Sequence, residues 1–361
     1  MNFDEIIGQH RAKSILLRTL DHQRMAHAYL FSGIDGVGKE ALALAFAQAI
    51  LCSDSQSRPC GHCSHCRRVH SFQHPDLKFV FPSSAASVAD ERAVLDSVIL
   101  NPYRRTSPWA APTISIDQIR ELRRMAALKP LEGKHVVIIA EADKMTIPAA
   151  NSLLKLLEEP PESMIIILTA SAPSTMLSTI LSRCQEIRLG PLSDQDIEKA
   201  LMEKEGIEPE RAAVFARISQ GSYRRALEWM DESLNEMRDE AVNFLRFCFK
   251  DIKSQLELIE TLTQRGDKRY IKDMLTLMLL WFRDALFMLQ HAAKDNQLIN
   301  VDQRTTLERF TGAFESIQFD AVFIEIEKAV QMIERNIQVN LVLIVLMRKL
   351  KNNMILKGRS T

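Results

Sequence analysis

A chain of 361 residues, 46% of them hydrophobic, is long enough for two or three domains with substantial cores. Its 46 basic and 46 acidic side chains balance to a formal charge of zero, which argues against a protein whose whole surface grips nucleic acid. The N-terminus, Met1-Asn2-Phe3-Asp4-Glu5, has no charged-then-apolar leader pattern, and the most apolar run, Met274 to Phe282, is too short to span a bilayer, so a soluble, cytoplasmic chain is expected with no membrane partner.

Residues 1 to about 190 alternate apolar runs with helical segments, the pattern of an α/β domain on a parallel sheet. The first strand is Ala28–Phe31. It runs into Gly33-Ile34-Asp35-Gly36-Val37-Gly38-Lys39-Glu40 and then into an alanine-rich helix, Ala41 to Ile50. Strand, glycine loop and helix are the setting of a phosphate-binding loop, G-x-x-x-x-G-K-[ST]. Glycines let backbone N–H groups close around phosphate oxygens, the lysine reaches the β/γ-phosphates, and the last hydroxyl holds Mg²⁺. Gly33, Gly38 and Lys39 are in place, with Gly36 inside the loop, but Glu40 replaces the hydroxyl.

Four cysteines follow the loop helix. Cys60, Cys63 and Cys66 form C-x₂-C-x₂-C, and Cys52 lies shortly upstream. Three thiolates from a tight knuckle and a fourth from the helix end suit a tetrahedral structural Zn²⁺ that staples residues 52–66. His62, His65, His70 or His74 in place of one thiol is an alternative, as is an iron–sulfur run, although no suitably placed Cys-Pro follows.

Further strands are expected at Leu77–Phe81, Val136–Ala140, Met164–Ala170 and Gln185–Leu189. Between the second and third, Ser83 to Pro112 mixes small residues, charges, prolines and aromatics. It reads as a long, partly mobile surface insertion. Pairs such as Arg104-Arg105 and Arg123-Arg124 read by default as solvated charge, with contact to DNA phosphates as the alternative. Ile116, Ile119, Leu122 and Met125 mark a helical stripe ending before Pro130. The third strand ends in Ala140-Glu141, where a working ATPase has Asp-Glu to hold Mg²⁺ and polarise water. With both magnesium groups missing, at positions 40 and 140, negligible intrinsic ATP hydrolysis is expected and Mg²⁺ is not expected to bind. A helix near Pro148, capped by Thr146, carries Leu153, Leu154, Leu156 and Leu157 to Pro160-Pro161. Arg183, in Ser182-Arg183-Cys184 before the fifth strand, is either a local salt-bridge partner or a group projected into a neighbouring subunit's nucleotide.

Gly190-Pro191 reads as a boundary. Short helices without strands fill 191–233, and long amphipathic helices such as Ile271–Leu289, Ala321–Ile333 and Val339–Leu350 fill 234–361 with no strand signal. The stripe Leu341, Leu343, Ile344, Leu346 and Met347 suits either an internal core or a subunit contact.

Asn151-Ser152-Leu153-Leu154-Lys155-Leu156-Leu157-Glu158-Glu159-Pro160-Pro161, Thr169-Ala170-Ser171 and Leu181-Ser182-Arg183-Cys184 together resemble the signature of the bacterial clamp loader ATPases of DNA polymerase III. Ile7-Gly8-Gln9, the cysteine module and Gly221-Ser222-Tyr223-Arg224-Arg225-Ala226 fit the same family over most of residues 1 to 230. The resemblance implies an AAA+ module over 1–190, a small helical lid over 191–233 and a helical collar over 234–361. It implies a place beside gamma/tau and delta subunits in a five-membered ring that loads the sliding clamp onto primed DNA. Arg183 would be a finger presented to the adjacent subunit's ATP. Arg224 would take the γ-phosphate sensor position and Thr169 that of the polar strand-end sensor. Gly33, Gly36, Gly38 and Lys39 would keep at most weak ATP or ADP affinity. The degenerate loop points to a non-hydrolysing member. The rival readings are a true AAA+ ATPase, for which Glu40 and Glu141 suffice, and a zinc-dependent DNA-binding module.

Overall fold

The computed structural model describes residues 2–22, 25–54, 57–84, 88–231, 234–290, 298–300 and 303–356. The chain divides into two compact units, Met1–Leu227 and Glu228–Thr361.

The first unit is built on five parallel strands: β1 (Ala28–Ser32), β2 (Leu77–Val80), β3 (His135–Ile139), β4 (Met164–Ala170) and β5 (Gln185–Arg188). Their spatial order is β2-β3-β4-β1-β5. Each lies within a residue of its expected span. The continuous apolar runs explain the layout, because every residue of β1, β3 and β4 is buried, as a sheet covered on both faces requires. The edge strand β5 buries only Ile187.

Helices supply the crossovers: α1 (His10–Asp21), α2 (Lys39–Leu51), α3 (Ser64–His70), α4 (Val88–Leu100), α5 (Ile116–Ala126), α6 (Ile147–Glu158) and α7 (Ser178–Leu181). Phe46 of α2 packs against Tyr29 and Phe31 on one face of β1. Leu30 of the same strand belongs to a core with Ile119 and Leu122 of α5, Leu153 and Leu157 of α6, and Ile139 and Leu168. Alternate side chains of one strand thus serve two layers. α5 opens with a capping box: Gln118 N–H donates to Ser115 Oγ, and Ser115 N–H donates to the Gln118 side chain. Thr146 caps α6 by accepting from Ala149 N–H. The helices α8 (Asp194–Glu205), α9 (Pro209–Ile218) and the first turn of α10 (Tyr223–Asp231) complete this unit.

The 83–112 segment departs from its sequence reading. Its base is pinched by a bridge between Ser83 and Thr113, α4 buries Val94 and Val98, and Tyr103 and Arg105 beyond it are buried at about 6% exposure. Residues 85–87 lie outside the described residues. Arg105 is therefore no solvated surface charge. Two isolated valines one helical turn apart are a weak signal among so many breaks, and the burial of an arginine depends on partners far away in sequence.

The second unit holds α11 (Leu234–Phe247), α12 (Ile252–Arg265), α13 (Lys268–Gln290), α14 (Arg304–Ala313), α15 (Phe319–Glu334) and α16 (Val339–Asn352). Trp281 and Phe282 of α13 meet Phe310 edge-to-face, and Phe282 also meets Phe319. Along α16, Leu343, Leu346 and Met347 are buried while Leu341 is 57% exposed. The all-helical expectation for this region needs one correction: β6 (Phe314–Ile317) pairs antiparallel with β7 (Met354–Leu356). Such short segments flanked by helices have no period of their own, and only their partner across the fold makes them strands.

Candidate nucleotide site and metal centre

The loop between β1 and α2 takes the shape its glycines allow. Gly36 and Gly38 have φ of 78° and 94°, the left-handed region that glycine enters freely. Both also lack room for a side chain. A Cβ on Gly36 would lie 2.2 Å from Ser222 Oγ, and one on Gly38 would lie 2.7 Å from the Tyr103 ring. The start of α10 therefore sits directly on the loop, and Tyr223 N–H donates to Gly36 C=O at 3.1 Å. Gly33 passes so close to Leu189 that a Cβ would meet its carbonyl oxygen at 2.4 Å.

Lys39 is 6% exposed and spends its three ammonium protons inside the protein. It donates to Gly33 C=O at 2.9 Å, Ile34 C=O at 2.8 Å and Ser171 Oγ at 2.9 Å. Burial pulls its pKa below the usual lysine value, against the opposing charges of Asp35, Glu40 and Asp143. Thr169, at the end of β4, is buried and accepts from Glu141 N–H at 3.0 Å, tying the ends of β3 and β4 together. Arg224 reaches the loop from α10 and pairs with Asp35 at 3.2 Å.

Arg105 occupies the centre. Its Nε donates to both oxygens of Glu40, at 3.1 and 3.2 Å, and its outer guanidinium nitrogen donates to Glu141. The guanidinium stands 5.9 Å from the Phe81 ring centre, and Lys144 pairs with Glu141 from the outside. Tyr103 covers Gly38. Its hydroxyl accepts from Ile7 N–H at 2.8 Å, and its ring meets Tyr223 edge-on at 5.2 Å. The cavity left among Gly36, Lys39, Glu40, Tyr103, Arg105 and Glu141 measures about 30 Å³. That holds about one or two waters, below the roughly 300–1,000 Å³ of small-molecule sites. A separate cavity of about 380 Å³ opens on the outer side of Arg105, among Asp35, Trp109, Glu141, Lys144 and Arg224. Sequence reasoning placed Gly33, Gly36, Gly38, Lys39, Thr169 and Arg224 around one site, and the fold brings them to one place. It missed Tyr103 and Arg105. The available signal was Glu40 itself, an acid at a helix start that needs a cation once buried.

The second constellation is the cysteine knuckle. The Sγ atoms of Cys52, Cys60, Cys63 and Cys66 all lie within 4.8 Å of one another, close enough to hold a metal ion. Four sulfurs bound at about 2.3 Å in a tetrahedron stand about 3.8 Å apart, and Cys60 and Cys66 stand 3.9 Å apart. Backbone N–H groups of Cys60, Cys63 and Cys66 point at the sulfurs of Cys52, Cys60 and Cys63, at 3.5, 3.4 and 3.3 Å, the outer support that a thiolate site uses. None of the six cysteines is in a disulfide. The histidines lie elsewhere. His62 Nδ1 faces Cys60 C=O at 2.8 Å, and His65 and His74 gather around Glu132 with Arg68. That second cluster suits an ion pair better than a metal. Arg68 takes both Glu132 oxygens, and Asp76 N–H donates to His74 Nδ1, which leaves the proton of a neutral ring on the nitrogen facing Glu132.

Arg183 follows α7, away from this cavity. It is 35% exposed, donates to Thr179 C=O at 2.9 Å and pairs with Glu158 at 3.1 Å. Among the described residues, no helix is long and apolar enough to cross a membrane.

A phosphate-binding loop at the end of the strand next to β4 and β5, in a parallel sheet of order β2-β3-β4-β1-β5, with helices that close over the loop, defines a P-loop module of the AAA+ type. Residues 8–193 match the family model described as DNA polymerase III, delta subunit, and residues 233–351 match its C-terminal counterpart. The chain is 34% identical over 212 residues to DNA polymerase III subunit delta' of Bacillus subtilis, covering 58% of this chain and 56% of that one. It is 30% identical over 247 residues to the delta' subunit of Haemophilus influenzae, covering 68% and 67%. It is also 30% identical to subunit tau of Escherichia coli, covering 74% of this chain but 39% of that protein. A gamma subunit-related protein of Thermotoga maritima aligns over 94% of this chain and 99% of its own, with 14% identity and a TM-score of 0.42. The chain belongs to the DNA polymerase III clamp loader family, which includes its delta' and tau/gamma relatives.

Proposed function

We propose that this chain is a delta'-type, non-hydrolysing subunit of the clamp loader. In this role it stands in a five-membered ring with gamma/tau and delta subunits and helps load the sliding clamp onto primed DNA. The observation that carries the reading is Arg105, seated between Glu40 and Glu141 where an active subunit needs Mg²⁺ and an attacking water. A carboxylate in place of the loop hydroxyl, an alanine in place of the strand-end aspartate and only about 30 Å³ of space against the loop itself all support a subunit without metal-assisted phosphoryl transfer. ATP or ADP would bind weakly or not at all.

Arg183 is the group the chain offers to others. It stands half-buried at the turn before β5, held by Glu158 and Thr179, and on leaving these partners it would reach the nucleotide of a neighbouring subunit and stabilise transition-state charge. Cys52, Cys60, Cys63 and Cys66 would hold a structural Zn²⁺ as thiolates, which would fix the end of α2 to α3.

The test is reconstitution of the ring with gamma/tau and delta subunits and measurement of clamp- and DNA-stimulated ATP turnover. Arg183→Ala should leave the melting curve of the isolated chain unchanged and cut turnover of the ring by about a hundredfold or more at the affected site. Unchanged turnover removes the finger role. Mg²⁺-dependent hydrolysis by the isolated chain, at the rate of a working ATPase, would favour the tau/gamma-type reading instead.

A further inference from the structure

The 83–112 segment is a large feature that the family reading leaves without a role, and two of its buried side chains, Tyr103 and Arg105, converge on the phosphate loop. We propose that Tyr103 and Arg105 form a plug carried by the chain itself, and that beneath it the loop is a latent site for a nucleoside polyphosphate. This deepens the non-hydrolysing reading and rests on it.

The loop beneath the plug is built for the ligand. Gly36 and Gly38 hold the left-handed turns, α2 begins at the loop, and Lys39 lies in it, its protons held meanwhile by Gly33 C=O, Ile34 C=O and Ser171 Oγ. What is missing is room against the loop itself, about 30 Å³ beside a cavity of about 380 Å³ outside Arg105, and charge balance. Tyr103 takes the volume: its ring lies against Gly38, where backbone must approach a phosphate closely. It is held there from three sides, by Ile7 N–H, by the loop and by Tyr223.

Arg105 takes the charge. In a working site a divalent cation sits near the loop hydroxyl and the acidic strand end. Here a guanidinium bridges the same two positions, through Glu40 and Glu141, at 5% side-chain exposure. Glu40 thus has a partner of its own. A buried carboxylate without a cation is costly, and so is a buried guanidinium without carboxylates, so the acid in the loop and the arginine 65 residues later are a matched pair. Restoring the loop hydroxyl alone would not reopen the site, because the ring and the guanidinium would remain. Removing Arg105 alone would leave two acids facing the phosphates.

The experiment measures binding of fluorescently labelled ADP and ATP, with Mg²⁺, to the full-length chain. Four proteins are compared: wild type, Glu40→Ser, the triple variant Tyr103→Ala/Arg105→Ala/Glu40→Ser, and a milder triple, Tyr103→Ala/Arg105→Gln/Glu40→Gln, that keeps polar bulk in case the first fails to fold. Folding is checked by circular dichroism and thermal melting. The plug predicts that wild type and Glu40→Ser bind indistinguishably weakly, and that a folded triple variant binds at least tenfold tighter. Tight binding by wild type overturns it, as does tight binding by Glu40→Ser alone. Failure of a folded triple variant to gain affinity also overturns it. The non-hydrolysing reading is tested separately, by Mg²⁺-dependent ATP hydrolysis of the wild-type chain: a folded triple variant that gains no affinity overturns the plug while leaving that reading intact, whereas hydrolysis by wild type overturns the reading itself.

Discussion

Single side chains in this protein are set by what burial leaves them to bond with. The cysteines divide on this basis. Burial pushes Cys184 and Cys248 up to about 12, which keeps them as inert thiols. Burial acts the same way on Cys63, but hydrogen bonds from Ser53 and from Cys66 N–H outweigh it and bring the thiol down to about 5. The thiolate is the nucleophile, so a metal-stripped chain should be alkylated first at Cys63 and last at Cys184 and Cys248. Iodoacetamide labelling at pH 7 after chelation, read by mass spectrometry, checks the order. Faster labelling of Cys184 would contradict the burial argument. Protection of Cys63 before chelation would show that a metal holds it.

At the scale of elements, short helices rely on what surrounds them. α3 has seven residues, too few to be stable alone, and is fixed at its start by Cys63 and through Arg68 to Glu132. α5 is longer and begins with reciprocal hydrogen bonds between Ser115 and Gln118. Gln118 Nε2 also donates to Phe81 C=O at 3.0 Å, so this cap joins the helix to the chain just after β2. Ser115→Ala should therefore cost about 1 kcal/mol, a typical cap loss, measured as a lower urea midpoint at constant slope. A neutral result would mean that water replaces the cap at no cost. The capping pattern is legible in the sequence as Ser-x-x-Gln before an apolar stripe, but the bond to Phe81 belongs to the tertiary fold.

For the molecule as a whole, the first unit rests on a sheet whose inner strands are sealed on both faces. Ile138 lies at 0% exposure in β3, between β2 and β4. Ile138→Ala should cost roughly 2–5 kcal/mol, because the rigid surroundings collapse only partly around the lost atoms. Leu341→Ala, at a position 57% exposed on α16, should stay within about 0.5 kcal/mol in the isolated chain. Chemical denaturation of the two variants side by side tests the contrast, and equal losses would refute the burial assignment of α16.

What the sequence alone determined is whatever depends on neighbours along the chain. Four largely apolar runs and the short stretch around Ile187 became the five strands, Gly33 to Lys39 became the loop at a helix start, and the spacing of Cys60, Cys63 and Cys66 became a knuckle that converges with Cys52. Those features are governed by local period, turn chemistry and short spacings, which a linear reading contains. The tertiary structure decided what fills the loop. Arg105 meets Glu40 across 65 residues and Glu141 across 36, and Tyr103 meets Ile7 across 96. It likewise decided that Phe314–Ile317 and Met354–Leu356 are strands. No local pattern selects one arginine among many, or one short run among many. The cost of burying a charge or a bare backbone edge does, once the fold has brought the candidates together.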